Sequence, residues 1–325
     1  MSAPQISLDD IRAARQLLGE RVVTTPIHRC ESPLLTALLG AGTQVVLKLE
    51  LLQRTGTFKA RGALLNLLSL SPEQQRRGVT AISAGNHAVA VAYAAQALGV
   101  HAKLVLVKTA SPLRVELCRQ YGAQIEFAES AHAGFARADQ IASEEGRTLI
   151  HPFEGLRTAT GTATVGLEFC EQVADLDAVL VPTGGGGLLA GISTAVKLLQ
   201  PQCQVYGVEP FGADSMYRSF EAGEPQAIER VQTIADSLGA PFAMPISFAL
   251  CQRSVDAIVR VSDDDLRAGM RLMQRDCKLA VEPAAAAGVA GLVGPLKERL
   301  AGKKVGLIVC GSNIEAAGYV RLLGE

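Results

Sequence analysis

The sequence predicts an α/β protein whose parallel sheets are covered by helices on both faces. Two observations carry this. Short apolar runs of strand length alternate with segments of helical period, and several helix starts coincide with capping signals. The alternation matters because parallel strands must be joined by crossovers, which are usually helices.

In chain order, Met1 to Glu20 is polar and helix-like without an apolar core, and the first strand is Gln44 to Glu50. A helix at Lys59 to Ser69 follows. The strand Val79 to Ile82 leads to a helix at Ala88 to Leu98, and Ala102 to Val107 leads to one at Pro112 to Tyr121, where Ser111 precedes a proline in the first turn. Gln124 to Phe127 then precedes helices at Ala131 to Glu144 and Arg157 to Val173. Ala178 to Val181 passes through a glycine run into a helix at Gly187 to Leu199, and Gln204 to Glu209 is the next strand. Ser262 before three aspartates starts a helix at Asp263 to Arg275, and Glu282 before Pro283 starts one at Pro283 to Leu300. Lys304 to Cys310 is the last strand. Between these, Gly223 to Ser247 is long, weakly periodic and holds three prolines, which reads as a functional loop.

A chain of 325 residues that is 48% hydrophobic can bury a large core and divide into two domains. With 31 basic and 32 acidic residues its formal charge is -1, which supplies no global attraction to nucleic acid or anionic lipid. Seven cysteines, scattered and without a CxxC, suggest reduced thiols. Neither a signal peptide nor a membrane span is expected, so the expected compartment is cytoplasmic.

Four segments carry chemistry. The run Lys48-Leu49-Glu50-Leu51-Leu52-Gln53-Arg54-Thr55-Gly56-Thr57-Phe58-Lys59-Ala60-Arg61-Gly62-Ala63 sets Lys59 at the mouth of a Gly- and Thr-lined turn. A lysine amine attacks an aldehyde only when deprotonated, so chemistry there requires a lowered pKa. Burial behind Phe58 and a cationic neighbour such as Arg61 would both act that way. Thr183-Gly184-Gly185-Gly186-Gly187-Leu188 follows a strand and opens a helix, leaving amides free to hold a phosphate. Gly185 to Ala190 also matches the loose dinucleotide fingerprint, with Glu209 ending the next strand, so a nicotinamide oxidoreductase competes, although it leaves Lys59 without a role.

Ser83-Ala84-Gly85-Asn86-His87 forms a second anion-binding turn suited to a carboxylate, or else Ser83 or Asn86 merely caps the helix. His87 reads as a structural hydrogen-bonding residue. Cys310-Gly311-Ser312-Asn313 ends the last strand, at the edge where ligands collect in open α/β sheets; its thiol either faces a ligand or finishes the core.

Taken together, the segment Gln53-x-Thr55-Gly56-Thr57-Phe58-Lys59-x-Arg61-Gly62-Ala63, the Ser83 to His87 turn, the glycine loop and the Cys310 to Asn313 motif resemble, in order, those of the threonine (serine) dehydratase and serine racemase family of pyridoxal-phosphate enzymes, with the tryptophan-synthase-β fold. The resemblance runs essentially end to end. It implies two open, mostly parallel twisted sheets with the cofactor in the cleft between domains, a large domain of residues 1–69 and 149–325 and a small one of residues 70–148. It implies that Lys59 forms the Schiff base and that Phe58 packs near the cofactor. Asn86 would bond the ring oxygen, Gly184, Gly185, Gly186, Gly187 and Leu188 would hold the phosphate, and Cys310 takes the place of a serine beside the pyridine nitrogen. Ser83, Ala84, Gly85, Asn86 and His87 would receive the substrate carboxylate, and Asp236 and Ser237 would sense the β-substituent.

The activity implied is an L-threonine or L-serine ammonia-lyase acting on a small hydroxyamino acid, as a homodimer or larger assembly. Serine racemase and hydroxyaspartate dehydratase are alternatives within the family, and a β-replacement enzyme such as a cysteine synthase is a nearby one. Ala84 stands where the racemases carry a proton-shuttling serine, which argues against racemisation. The family's cation site would use Glu209 and the carbonyl of Ala213, but Ser215 replaces an acid and is a poorer ligand for a hard divalent ion, so Glu209 and Asp214 read either as cation ligands or equally as solvated carboxylates at a strand end. A hydroxyaspartate dehydratase would need a further cation, and no single arginine announces itself.

Overall fold

The computed structural model describes residues 4–83 and 85–324. Among the described residues ten strands form two sheets, as the resemblance implies. The larger contains β1 (Ile27–Arg29), β2 (Gln44–Lys48), β7 (Ala178–Pro182), β8 (Gln204–Pro210), β9 (Ala257–Val261) and β10 (Lys304–Ile308), in the order β1-β2-β10-β7-β8-β9. The smaller contains β3 (Val79–Ser83), β4 (Ala102–Val107), β5 (Gln124–Ala128) and β6 (Thr148–Leu149), in the order β5-β4-β3-β6. Among the described strands only β1 pairs antiparallel, with β2; every other strand pairing is parallel.

Parallel strands covered on both faces must be apolar throughout. Accordingly, β4 and β7 are buried along their whole length. The expected strands lie where the apolar runs place them, with ends shifted by one or two residues. β1, β6 and β9 were not expected. β1 and β6 span three and two residues, and β9 is an edge strand whose apolar run is interrupted by Arg260.

The helices differ from expectation in physically readable ways. The N-terminal segment does have an apolar stripe: Ile11, Ala14 and Leu18 are buried along the helix Leu8–Leu18, which opens on a Ser7 to Asp10 capping box. The helix begun at Pro283 stops at Val293 rather than at Leu300, because Gly294 precedes Pro295 and the residue before a proline is driven out of the helical region. Ser262 makes its capping box with Asp265. Ser111 makes no such bond, its hydroxyl donating instead to Glu315 at 2.7 Å. Short helices at Pro33–Leu39, Pro72–Arg77 and Pro245–Ser254 each begin on a proline, a start signal left unread in the sequence. Ser215–Ala222 and Ala316–Gly324 complete the set of unexpected helices.

Close helix packing sets the positions of the turns that matter. The helices Leu156–Gln172 and Gly187–Leu199 meet at Gly191, where a Cβ would lie 2.5 Å from the Ala163 amide nitrogen. At this contact Thr162 donates to the Gly187 carbonyl at 2.7 Å, tying the glycine loop to the neighbouring helix. The core of the small sheet extends beyond its own strands, since Leu18, Leu64 and Leu67 pack into it. The helix Lys59–Leu68 thus lies between the helices Asn86–Leu98 and Leu156–Gln172. All seven cysteines are free, with the Cys30 and Cys277 sulfurs 2.7 Å apart. Among the described residues no helix is long and apolar enough to cross a membrane.

Candidate active site

The carboxyl ends of β3, β4, β7 and β10 converge on one cleft, and the motifs singled out in the sequence line it. Phe58, Lys59, Ser83, Gly85, Asn86, His87, Gly184, Gly185, Gly186, Gly187, Leu188, Asp236 and Cys310 all reach its wall. Ala84 lies outside the described residues.

The lysine turn and the Cys310 to Asn313 motif are one unit. Thr57 bridges Gly311, the Phe58 amide donates to the Cys310 carbonyl at 3.2 Å, and the Ser312 amide donates to the Gly56 carbonyl at 3.1 Å. Asn313 fills the space above Gly56, where a Cβ would sit 2.6 Å from its Oδ1, and donates from Nδ2 to the Thr55 carbonyl at 2.8 Å. Thr55 itself is held at φ 68°, a conformation that costs a β-branched residue energy and that surrounding contacts must enforce.

Lys59 Nζ donates to the Pro152 carbonyl at 2.6 Å and lies 5.1 Å from the Phe58 ring centre. Burial lowers its pKa to about 8, against the opposing pull of Cys310 and Glu282. Arg61 plays no part in this. Its guanidinium is fully buried on the other side of the helix, bound to Glu50 at 2.7 Å and to Glu168 at 2.8 Å, where Lys48 joins at 3.0 Å. This arginine anchors the helix instead of tuning its lysine.

The glycine loop has no room for side chains where it packs against its neighbours. A Cβ at Gly184 would meet the Leu238 carbonyl oxygen at 2.9 Å, one at Gly185 would overlap the Phe153 ring with Cε2 at 2.5 Å, and one at Gly187 would meet the Phe153 carbonyl oxygen at 2.5 Å. Gly186 has φ +86°, in the region that glycine occupies without strain. The backbone is therefore pressed close on one side and opens its amides to the cleft at a helix N-terminus, where anions are stabilised.

Asn86 is not a mere helix cap. The cap position is Gly85, without a side-chain capping bond, and Asn86 Nδ2 donates to both Glu282 oxygens at 2.8 and 3.0 Å and to Ser237 at 3.1 Å. The Ser83 hydroxyl accepts the Gly85 amide at 2.9 Å. His87 Nε2 bonds the Ile150 carbonyl at 2.8 Å; burial and the Lys59 charge push its pKa down to about 3, so the ring is neutral and structural, as expected. Burial raises the Cys310 pKa well above the usual thiol value, so Cys310 presents a neutral S–H.

Four charged or aromatic wall residues were missed in the sequence. Glu282 starts its helix but points into the cleft, fully buried, with its pKa raised because burial outweighs the nearby Arg114 charge. Arg114, which nothing in the sequence singled out, reaches in from the helix Pro112–Gln120. Phe135 and Phe153 supply an apolar face, and Phe153 stands edge-on to His151 at 4.6 Å. Only the Glu-Pro pair gave a local signal, and it was read correctly as a helix start but not as a site residue.

The candidate cation residues lie outside the cleft lining. Glu209 and Asp214 are buried, not solvated. The Glu209 carboxylate accepts the Met216 and Tyr217 amides at 3.1 and 2.7 Å, and Asp214 is bound by Arg218 and Arg260. Ala213 is buried in the turn between them. Among the described residues no three His, Cys, Asp or Glu side chains are grouped to hold a metal ion.

Comparison with known proteins agrees with this geometry. The family described as "Pyridoxal-phosphate dependent enzyme" matches residues 20–311. The chain is 60% identical over 283 residues to a phenylserine dehydratase of Ralstonia pickettii, covering 87% of each protein. It is 34% identical to an L-threonine ammonia-lyase of Thermotoga maritima, covering 98% of this chain and 79% of that protein. The structure of maize serine racemase superposes with a TM-score of 0.91 at 33% identity, covering 99% of this chain and 97% of the other. These matches exclude the nicotinamide reading of the glycine loop. The chain belongs to the pyridoxal-phosphate dependent enzymes, and pyridoxal phosphate is its cofactor.

Proposed function

We propose that the protein is an ammonia-lyase that eliminates water from L-3-hydroxyamino acids, giving a 2-oxo acid and ammonia. The observation that carries this is the Lys59 amine, its pKa lowered to about 8, set in one cleft with both anion-binding turns. When bound, the cofactor supplies an electron sink for the pair left at the substrate's Cα. Gly184 to Leu188 would hold its phosphate, Asn86 would bond its ring oxygen, and Phe58 would pack beside it.

The chain's own residues do the rest. The Ser83 to His87 turn holds the substrate carboxylate with its amides, which fixes the Cα–H bond toward Lys59. Lys59 removes that proton as general base, a role for which an amine that ionises near physiological pH is suited. Neutral His87 is not a competing base. Cys310 offers a neutral hydrogen-bonding group and no negative charge, which leaves the ring less electron-withdrawing and favours elimination over transamination. At position 84 an alanine carries no proton to move, so racemisation is not proposed.

The substrate's third carbon would face an apolar wall that includes Ile82, Val107, Phe135 and Phe153. Such a wall has no hydrogen-bonding group to discriminate a methyl from a larger apolar substituent. L-Threonine and L-serine are therefore joined by L-3-phenylserine as proposed substrates, the last supported by the 60% identical dehydratase. The test is a panel of these three amino acids with the purified holoenzyme, measuring 2-oxo acid and ammonia. Wild type yields both in equal amounts, and Lys59→Ala yields neither. Product formation by Lys59→Ala, or its absence with all three substrates in wild type, overturns the reading.

A further inference from the structure

We propose that Asp236 makes the cleft selective for substrates with an uncharged third-carbon substituent, by occupying Arg114, the arginine built against the carboxylate-binding turn. The inference deepens the ammonia-lyase reading and rests on it.

Arg114 is 3% exposed and lies directly on the turn. Gly85 leaves it room: a Cβ there would stand 2.5 Å from Arg114 Nη1 and 2.9 Å from Cζ. From behind, the guanidinium is fixed by the Asn313 carbonyl at 3.1 Å, by Ser237 at 3.3 Å and by Glu282 at 3.5 Å. Glu282 is itself held by Asn86 and by the Asn313 amide at 3.2 Å, so this side of the arginine is rigid. A planar guanidinium fixed in this way is preorganised to bind a carboxylate through its remaining donors.

Asp236 takes those donors. Its carboxylate is bound by Arg114 Nη1 and, at 3.3 Å, by Nη2. Unlike Glu282, its side chain is 49% exposed, and it belongs to the short 3-10 turn Asp236–Leu238 at the cleft mouth. A substrate carrying a second carboxylate would meet this group as a like charge instead of meeting the arginine. Specificity obtained by placing a repulsive group against the wrong ligand is a general device. Apolar substituents lose nothing by the arrangement.

The experiment uses the holoenzyme and two substitutions that remove the charge, Asp236→Asn and Asp236→Ser, together with the double variant Arg114→Gln/Asp236→Asn. Malonate, which carries two carboxylates and no leaving group, is titrated calorimetrically against propionate. The ratio of kcat/KM for L-threo-3-hydroxyaspartate over L-threonine is measured in parallel. Either single variant is expected to bind malonate about tenfold more tightly relative to propionate, the scale of one added charge-assisted hydrogen bond. The kcat/KM ratio should rise in step, and the double variant should lose the gain. A malonate preference within about twofold of wild type in both single variants, or a gain that survives loss of Arg114, overturns the proposal. Malonate binding requires no turnover, so it decides the role of Asp236 even where the proposed elimination fails.

Discussion

Replacing Gly185 by alanine isolates what the glycine loop contributes. The added Cβ would lie 2.5 Å or less from three atoms of the Phe153 ring, where ordinary carbon contacts begin near 3.4 Å. Relief requires a displacement of roughly 1 Å, since close-packed interiors have no slack to absorb it. The ring cannot swing away cheaply: it stands edge-on to His151 at 4.6 Å and packs against Phe242 at 6.0 Å, and its own carbonyl accepts the Ser247 hydroxyl at 2.5 Å. Overpacking of this kind costs about 1–3 kcal/mol of folding stability. Because the same Phe153 backbone abuts Gly187, the strain passes into the helix N-terminus that would hold the phosphate. Cofactor affinity should therefore fall by about tenfold or more, equivalent to about 1.4 kcal/mol. The assay is absorbance titration of the apoprotein with pyridoxal phosphate, paired with urea unfolding. Gly302→Ala is the control: it has φ +73° but open space around its Cβ position, so it should lose about 1 kcal/mol of stability and no cofactor affinity. Wild-type cofactor affinity in Gly185→Ala would refute the steric account of the loop.

Two further outcomes follow from the same coordinates. Arg61→Met leaves buried Glu50 without its ion-pair partner and Glu168 with only Lys48 and Arg15, and should destabilise the protein by about 3–5 kcal/mol at neutral pH, read by urea unfolding. Glu168 has its pKa lowered; although burial raises it, Arg61 and Lys48 outweigh that effect. The stability gained through this ionised pair is thus complete above the ordinary glutamate range and is lost as pH falls through the lowered value, so wild type and variant should converge in acid. For Lys59 the pKa is likewise lowered: its folded value lies near 8, so the free amine appears as pH rises through that value. Uptake of pyridoxal phosphate by the apoprotein should accelerate up to about pH 8 and level off above it. A midpoint near the ordinary lysine value, about 10.4, would show that Lys59 is solvated.

The parts of the site that were legible in the sequence are those whose geometry is local. The glycine loop, the Ser83 to His87 turn and the lysine turn each form within a few consecutive residues, where glycine content and a following helix already dictate free amides. The wall opposite them is not local. Arg114 comes from a helix of the small sheet, Glu282 from a helix start of the large one, and Phe153 from the segment linking the two. Their meeting depends on how the sheets pack, which no single segment encodes. Strands long enough to be buried on both faces were visible for the same reason, whereas the three-residue β1 and two-residue β6 bury too little to leave a pattern.

Arg61 shows why nearness in sequence misleads even within one helix. The expectation that it tunes Lys59 treats two residues apart as neighbours. Successive helical residues turn by about 100°, so a residue at i+2 points roughly 200° away, to the far face. Lys59 begins its helix with its amine in the cleft, and Arg61 must then project into the body of the protein, where it can remain only with its charge matched by Glu50 and Glu168. The lysine's pKa is left to burial alone, opposed by Cys310 and Glu282. What joins the two residues is mechanical: the buried ion network fixes the helix, and the fixed helix delivers an amine to the cleft that Asn86 and the glycine loop also line.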